Sequence, residues 1–204
     1  MATKRDPTKR RAAQPSARDR LLAAADELFY EEGVHRVGID RVTEQAGVAK
    51  ASLYNTFGSK DELIKAYLAG RHALWQAYVE RKVAELTEPR DRLLAVFDAL
   101  GELFARPTFR GCAFLNASAE APPESSVHEA SNVFRTWVRD MFVQHAREVK
   151  ARHPERLAEQ LVVLYDGATV VAQMDHDPAA AFTARSLAIL AIDADLPRRT
   201  TKRS

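Results

Sequence analysis

Few residues in this 204-residue chain could do covalent or metal chemistry, and they are not gathered. The six histidines are scattered, and Asp175-His176-Asp177 is the nearest approach to a metal cluster. A polar loop with Asp177 capping the next helix explains that triplet without a metal. There is no glycine-rich phosphate loop, no His-Glu-x-x-His and no serine-nucleophile elbow. The sequence therefore predicts no catalytic set, no cofactor and no metal site. The single cysteine, Cys112, excludes an internal disulfide and suits a reducing cytoplasm. It reads either as a small buried hydrophobe or as a sensor thiol, whose pKa Arg110 and a helix N-terminus after Gly111 would lower. A different kind of chemistry is suggested by Lys50, Ala51, Ser52, Tyr54, Asn55 and Thr56, followed by Lys60. Short, hydroxylic and amide side chains in one run suit phosphates and base edges.

The elements that would position them are two short helices broken at Gly47. Val42 and Ala46 stand four apart on the first, and Leu53 and Phe57 four apart on the second. Glycine at the break can adopt the left-handed state that ends a helix. This is a helix-turn-helix pattern, in which the second helix enters the DNA major groove. Lys50 to Phe57 would be the recognition helix, with Tyr54 and Lys60 on phosphates and Ala51, Ser52, Asn55 and Thr56 toward bases. Ser59 and Glu62 predict a capping box for the helix that follows. Upstream, Ser16 can cap a helix that runs to about Glu32 and buries Leu21, Leu22, Ala25, Leu28 and Phe29.

Leu21 to Phe29, Gly33, Ala46-Gly47-Val48, Leu53-Tyr54-Asn55-Thr56-Phe57 and Ser59-Lys60-Asp61-Glu62-Leu63 arrive in order. Over residues 16–76 the chain resembles the DNA-binding domain of the tetracycline-repressor (TetR) family. Phe109 to Glu120 further resembles the Gly-Cys-x-x-x-Asn-x-x-x-Glu segment of a subset of that family, some of whose members respond to electrophiles or oxidants. The resemblance implies an all-α fold: a three-helix head with the helix-turn-helix at about 37–57, then a larger helical body at 77–196. It also implies a homodimer formed by the last two helices, a near-palindromic double-stranded operator and a small-molecule effector in the body.

The chain carries a net charge of +2. Residues 1–60 hold 11 Lys or Arg against 8 Asp or Glu, and the remainder 19 against 20. The excess lies where nucleic acid would bind. Residues 1–15 read as a basic disordered arm and 197–204 as a basic tail. No run is apolar enough to span a bilayer, and Met1 to Ser16 lacks the apolar core of a signal peptide, so a cytoplasmic protein without membrane contact is expected.

The body reads as further helices. One runs from Ser59 to about Thr87, and is expected to be the only element that starts at the head and enters the body's pocket. Ser126 and Glu129 predict a capping box, and Asp177-Pro178 the start of the last helix. Trp75, Tyr78, Phe97, Phe104, Phe114, Phe134, Trp137, Met141 and Tyr165, with the polar Asn116 and Thr169, describe either plain core or a partly apolar ligand site. The reading is a ligand-controlled transcriptional regulator, most simply a repressor. The alternative is a helical ligand-binding or metal-sensing protein that does not bind an operator.

Overall fold

A computed structural model describes residues 15–122 and 125–197. The basic arm and most of the basic tail lie outside the described residues. The described chain is all-helical: α1 (Ala17–Glu32), α2 (Ile39–Ala46), α3 (Lys50–Phe57), α4 (Lys60–Ala84), α5 (Pro89–Phe104), α6 (Ala113–Glu120), α7 (Ser126–Glu148), α8 (Pro154–Asp175) and α9 (Ala180–Asp195).

The head is assembled by local rules. Ser16 caps α1 by accepting the Asp19 N–H, and Asp19 accepts from the Ser16 N–H in return. Leu21, Ala25, Leu28 and Phe29 then fall on one stripe and are buried. Val42 and Ala46 of α2 and Leu53 of α3 close over that stripe. Gly47 takes φ 61° and ψ 42°, and its N–H satisfies the last carbonyls of α2. Two further residues separate it from α3, which fixes the angle between the two short helices.

Ser59 caps α4 by accepting the Glu62 N–H at 3.1 Å. Leu63, Ile64, Tyr67 and Leu68, on its first turns, are buried against the head. The 25-residue helix, about 37 Å long in all, then continues into the body. There α5 lies at the centre, with Leu93, Val96, Phe97 and Leu100 enclosed among α4, α7, α8 and α9. Phe142 of α7, Leu157 and Leu161 of α8 and Ile192 of α9 complete this core.

Two helix starts differ from expectation. The N-cap of α7 is Ser125, and Glu129 does not form a box with Ser126; it reaches across to Lys65 of α4 at 2.8 Å. With Ser125 as the N-cap, the third helical residue is His128, so the register excludes the expected box. The last helix starts at Ala180, because the Asp177 carboxylate takes the Ala179 N–H at 2.8 Å and holds residues 177–179 as a turn. The outer face of the α8–α9 pair is left uncovered. Val163, Met174, Phe182, Leu187 and Leu190 are exposed there, Met174 to 75% and Leu190 to 65%.

Candidate functional site

Two sites emerge, one on the head and one in the body. On the head, Lys50, Ala51, Tyr54, Asn55 and Thr56 are exposed along α3 and Ser52 is half-buried, while Leu53 anchors the opposite side. Tyr54 is 46% exposed. The Thr56 hydroxyl donates to the Ser52 carbonyl, which steadies its position on the helix. Lys50 pairs with Asp40 of α2 at 2.7 Å, and that carboxylate holds the ammonium pKa above its ordinary value. Lys60 is half-buried; burial lowers its pKa, and the nearby carboxylates of Asp61 and Glu120 oppose that.

In the body, α4, α5, α6, α7 and α8 surround a cavity of about 690 Å³. Its wall includes Trp75 and Tyr78 of α4, Phe114 of α6, Phe134 of α7, and Tyr165 and Thr169 of α8. Trp75 and Tyr78 stack at 5.7 Å, and Phe114 and Phe134 lie face to face at 3.9 Å between centroids. These paired rings give the cavity flat apolar sides. The Trp75 indole N–H is buried at this wall near the Tyr165 hydroxyl and makes no well-formed hydrogen bond. It is a donor without a partner among the described residues, and one that a ligand oxygen could satisfy. The hydroxyls of Ser118 and Ser131, also lining, bond each other at 2.8 Å.

The other aromatic candidates lie elsewhere. Phe97 packs on Phe142 in the central core. Phe104 backs Phe109, which itself faces the cavity. Trp137 backs Phe134 and packs on His72, whose neutral form burial favours. Met141 is buried core. Sequence periodicity marks all of these as inward, but inward means core for some and cavity for others. Asn116 does not line the cavity; its amide is used in the segment described next.

The segment from Gly111 to Glu120 ties the cavity to the head. Gly111 takes φ 91°, and a Cβ there would lie 2.0 Å from the Gln173 Oε1 of α8. Asn116 donates to the Arg110 carbonyl at 3.0 Å and accepts from Gln173 at 3.2 Å. Glu120, at the far end of α6, accepts the His35 N–H of the head at 2.9 Å. At the near end, the Tyr30 hydroxyl of α1 donates to the Gly111 carbonyl and accepts the Arg110 N–H, at 3.0 and 2.9 Å. Asp26 and Tyr30 also line the cavity, and Asp26 holds Arg71 in a two-pronged pair. This corrects the expectation that α4 alone joins head and cavity. Helix α1 reaches the cavity from the head, and α6 runs from the cavity back to it.

Cys112 is the N-cap of α6 and lines the cavity. Burial pushes its thiol pKa up, and the N–H groups of Leu115 and Phe114 offset this only partly. The expected lowering by the helix N-terminus and Arg110 is therefore overridden by desolvation. Asp26, Tyr30, Arg71, Arg81, Arg106 and Ser118 were missed by sequence reasoning. A signal existed for two of them: Arg71 and Arg81 continue the helical spacing of Leu74, Trp75 and Tyr78. Among the described residues no three His, Cys, Asp or Glu side chains come together as a metal set. No described helix is long and apolar enough to cross a membrane.

Residues 21–67 match the family model described as bacterial regulatory proteins, tetR family. The transcriptional regulator AcuR of Cereibacter sphaeroides is 32% identical over 184 residues, covering 82% of each chain. The chain belongs to the TetR family. The TetR-family regulator SCO4454 of Streptomyces coelicolor superposes on it with a TM-score of 0.82 and 34% identity, over 89% of this chain and 96% of that one. The transcriptional activator FasR of Mycolicibacterium smegmatis is 36% identical over 89 residues, 44% of this chain and 41% of FasR. The first curated relatives are thus matched over about two fifths of their own length.

Proposed function

We propose that this chain is a homodimeric transcriptional regulator, most simply a repressor, that binds a near-palindromic operator and is controlled by a small molecule in the body cavity. The observation that carries the reading is the connected path from the cavity wall through α6 and α1 to the head. A ligand that moves α6 acts on both of its anchors at once. On the DNA side, Ala51, Ser52, Asn55 and Thr56 face the bases, and Tyr54 and Lys60 hold phosphate. The uncovered α8–α9 face supports pairing of two copies through those helices, which presents two recognition helices to a two-fold site.

Footprinting on DNA flanking the protein's own gene tests this. A protected near-palindrome is expected. Tyr54→Ala should weaken binding to operator and random DNA alike, by about 1 kcal/mol or more. Loss of sequence preference with unchanged non-specific affinity would instead place Tyr54 on a base. Absence of any protected site would favour a ligand-binding protein without an operator.

A further inference from the structure

The cavity is apolar in depth and charged at its rim, and the charge does not balance. Four guanidinium groups line it, of Arg71, Arg81, Arg106 and Arg135, against the two carboxylates of Asp26 and Asp166. Arg71 is matched by Asp26 and Arg135 by Asp166. Arg81, near the end of α4, and Arg106, just past α5, form no ion pair among the described residues. Both stand over the same ring, 5.3 and 5.4 Å from the centroid of Tyr78. Two separate elements thus bring their cations to the same ring at the cavity wall. The carboxylate of Glu102 is close by, but it is already held by Lys82 at 2.6 Å and by the Tyr78 hydroxyl, and it meets Arg106 only through space. Lys82 also lies beside that ring, at 5.9 Å, with its charge matched by Glu102, so the unmatched cations there are Arg81 and Arg106.

Cations gathered at the mouth of an apolar hole repel one another, and the low-dielectric wall lessens the screening between them. An anion seated at that point removes the repulsion; a cation increases it. Guanidinium groups also pair with carboxylates through parallel N–H donors, which fixes orientation as well as charge. The flat sides formed by Trp75, Phe114 and Phe134 take an apolar body below. We propose that the cavity selects amphiphilic organic anions, with the acid group on Arg81 and Arg106 and the hydrophobic body among those rings. This rests on reading the cavity as the effector site.

The neutral dye N-phenyl-1-naphthylamine, which fluoresces in apolar sites, provides the test. It is bound to the full-length protein and displaced by decanoate, decanol or decyltrimethylammonium, three chains that differ in head-group charge. Decanoate should displace the dye at concentrations about tenfold lower than decyltrimethylammonium. The double variant Arg81→Gln/Arg106→Gln, checked for native helicity, should lose that preference while decanol is unaffected. Equal displacement by anion and cation, or a preference that survives in the folded double variant, overturns the proposal. If none of the three displaces the dye, the cavity does not take amphiphilic chains and the proposal falls, while footprinting still decides the functional reading. If decanoate is preferred through the two arginines but operator binding does not respond, the anion selectivity stands and the effector role fails.

Discussion

Asp195 is the one acid among the described residues that is fully buried, at 2% exposure. It sits at the end of α9 and clamps the turn between α7 and α8. Its carboxylate accepts from the His153 backbone N–H at 2.8 Å, from the His153 ring and from Arg156. Burial alone would raise its pKa, but the His153 and Arg156 hydrogen bonds outweigh burial and bring it to about 2, below the ordinary 3.8. A carboxyl depressed in the fold stabilises it at any pH above the unfolded value, and that contribution is lost as pH falls from about 4 to about 2. Asp195→Asn should therefore cost about 1–3 kcal/mol at pH 7 in urea denaturation, since a buried amide cannot match the three donors that the carboxylate accepts from. The gap between variant and parent should close as pH falls through that window. A gap independent of pH down to 2 would show that the charge is not what matters.

At the scale of the element, α6 is short, eight residues, and is held by its ends more than by its length. Tyr30 grips the chain entering it and Glu120 grips the head from its exit. Removing either bond leaves the head freer to tilt, so it must be ordered again when it meets DNA. Glu120→Ala should weaken operator affinity of the ligand-free protein about fivefold, the worth of one hydrogen bond of about 1 kcal/mol, and Tyr30→Phe, which loses two, by more. Calorimetry or gel shift reads this directly, and an unchanged affinity in both variants would exclude these bonds from setting the head's orientation. The order of the head helices was readable from local spacing, because Leu21 with Leu28, Val42 with Ala46 and Leu53 with Phe57 stand at helical intervals, beside the cap residues Ser16 and Ser59. The Gly111–Glu120 segment was recognisable as a motif, yet its purpose was not readable: Asn116 meets Gln173 57 residues away and Glu120 meets His35 85 residues back. Contacts at such distance leave no local signature. Cavity and core aromatics are likewise indistinguishable in periodicity, which is why Trp137 and Phe97 read like Phe114 and Trp75.

For the whole molecule, the proposed pairing rests on the α8–α9 face. Phe182, Leu187 and Leu190 on α9 and Val163 and Met174 on α8 are exposed in a single chain. A carboxylate there costs a single chain little, because the site is wet, but in an apolar contact it would be buried without a partner. Leu187→Glu or Leu190→Glu should thus give a folded single chain by light scattering where the parent gives two. Two chains for both variants would place the interface elsewhere. The parent's melting temperature should also rise with protein concentration, as it does when association and folding are linked.

That uncovered face has a consequence for dosage. Where the cellular concentration lies well below the dissociation constant of the pair, the amount of paired protein follows the square of the chain supply. Occupancy of a two-fold operator then changes more steeply than the supply of chain itself. Doubling the gene would tighten control by more than twofold, and a modest loss of expression would release the operator without any ligand. The apolar residues that α8 and α9 leave in water would, on this view, make the regulator a sensor of its own abundance.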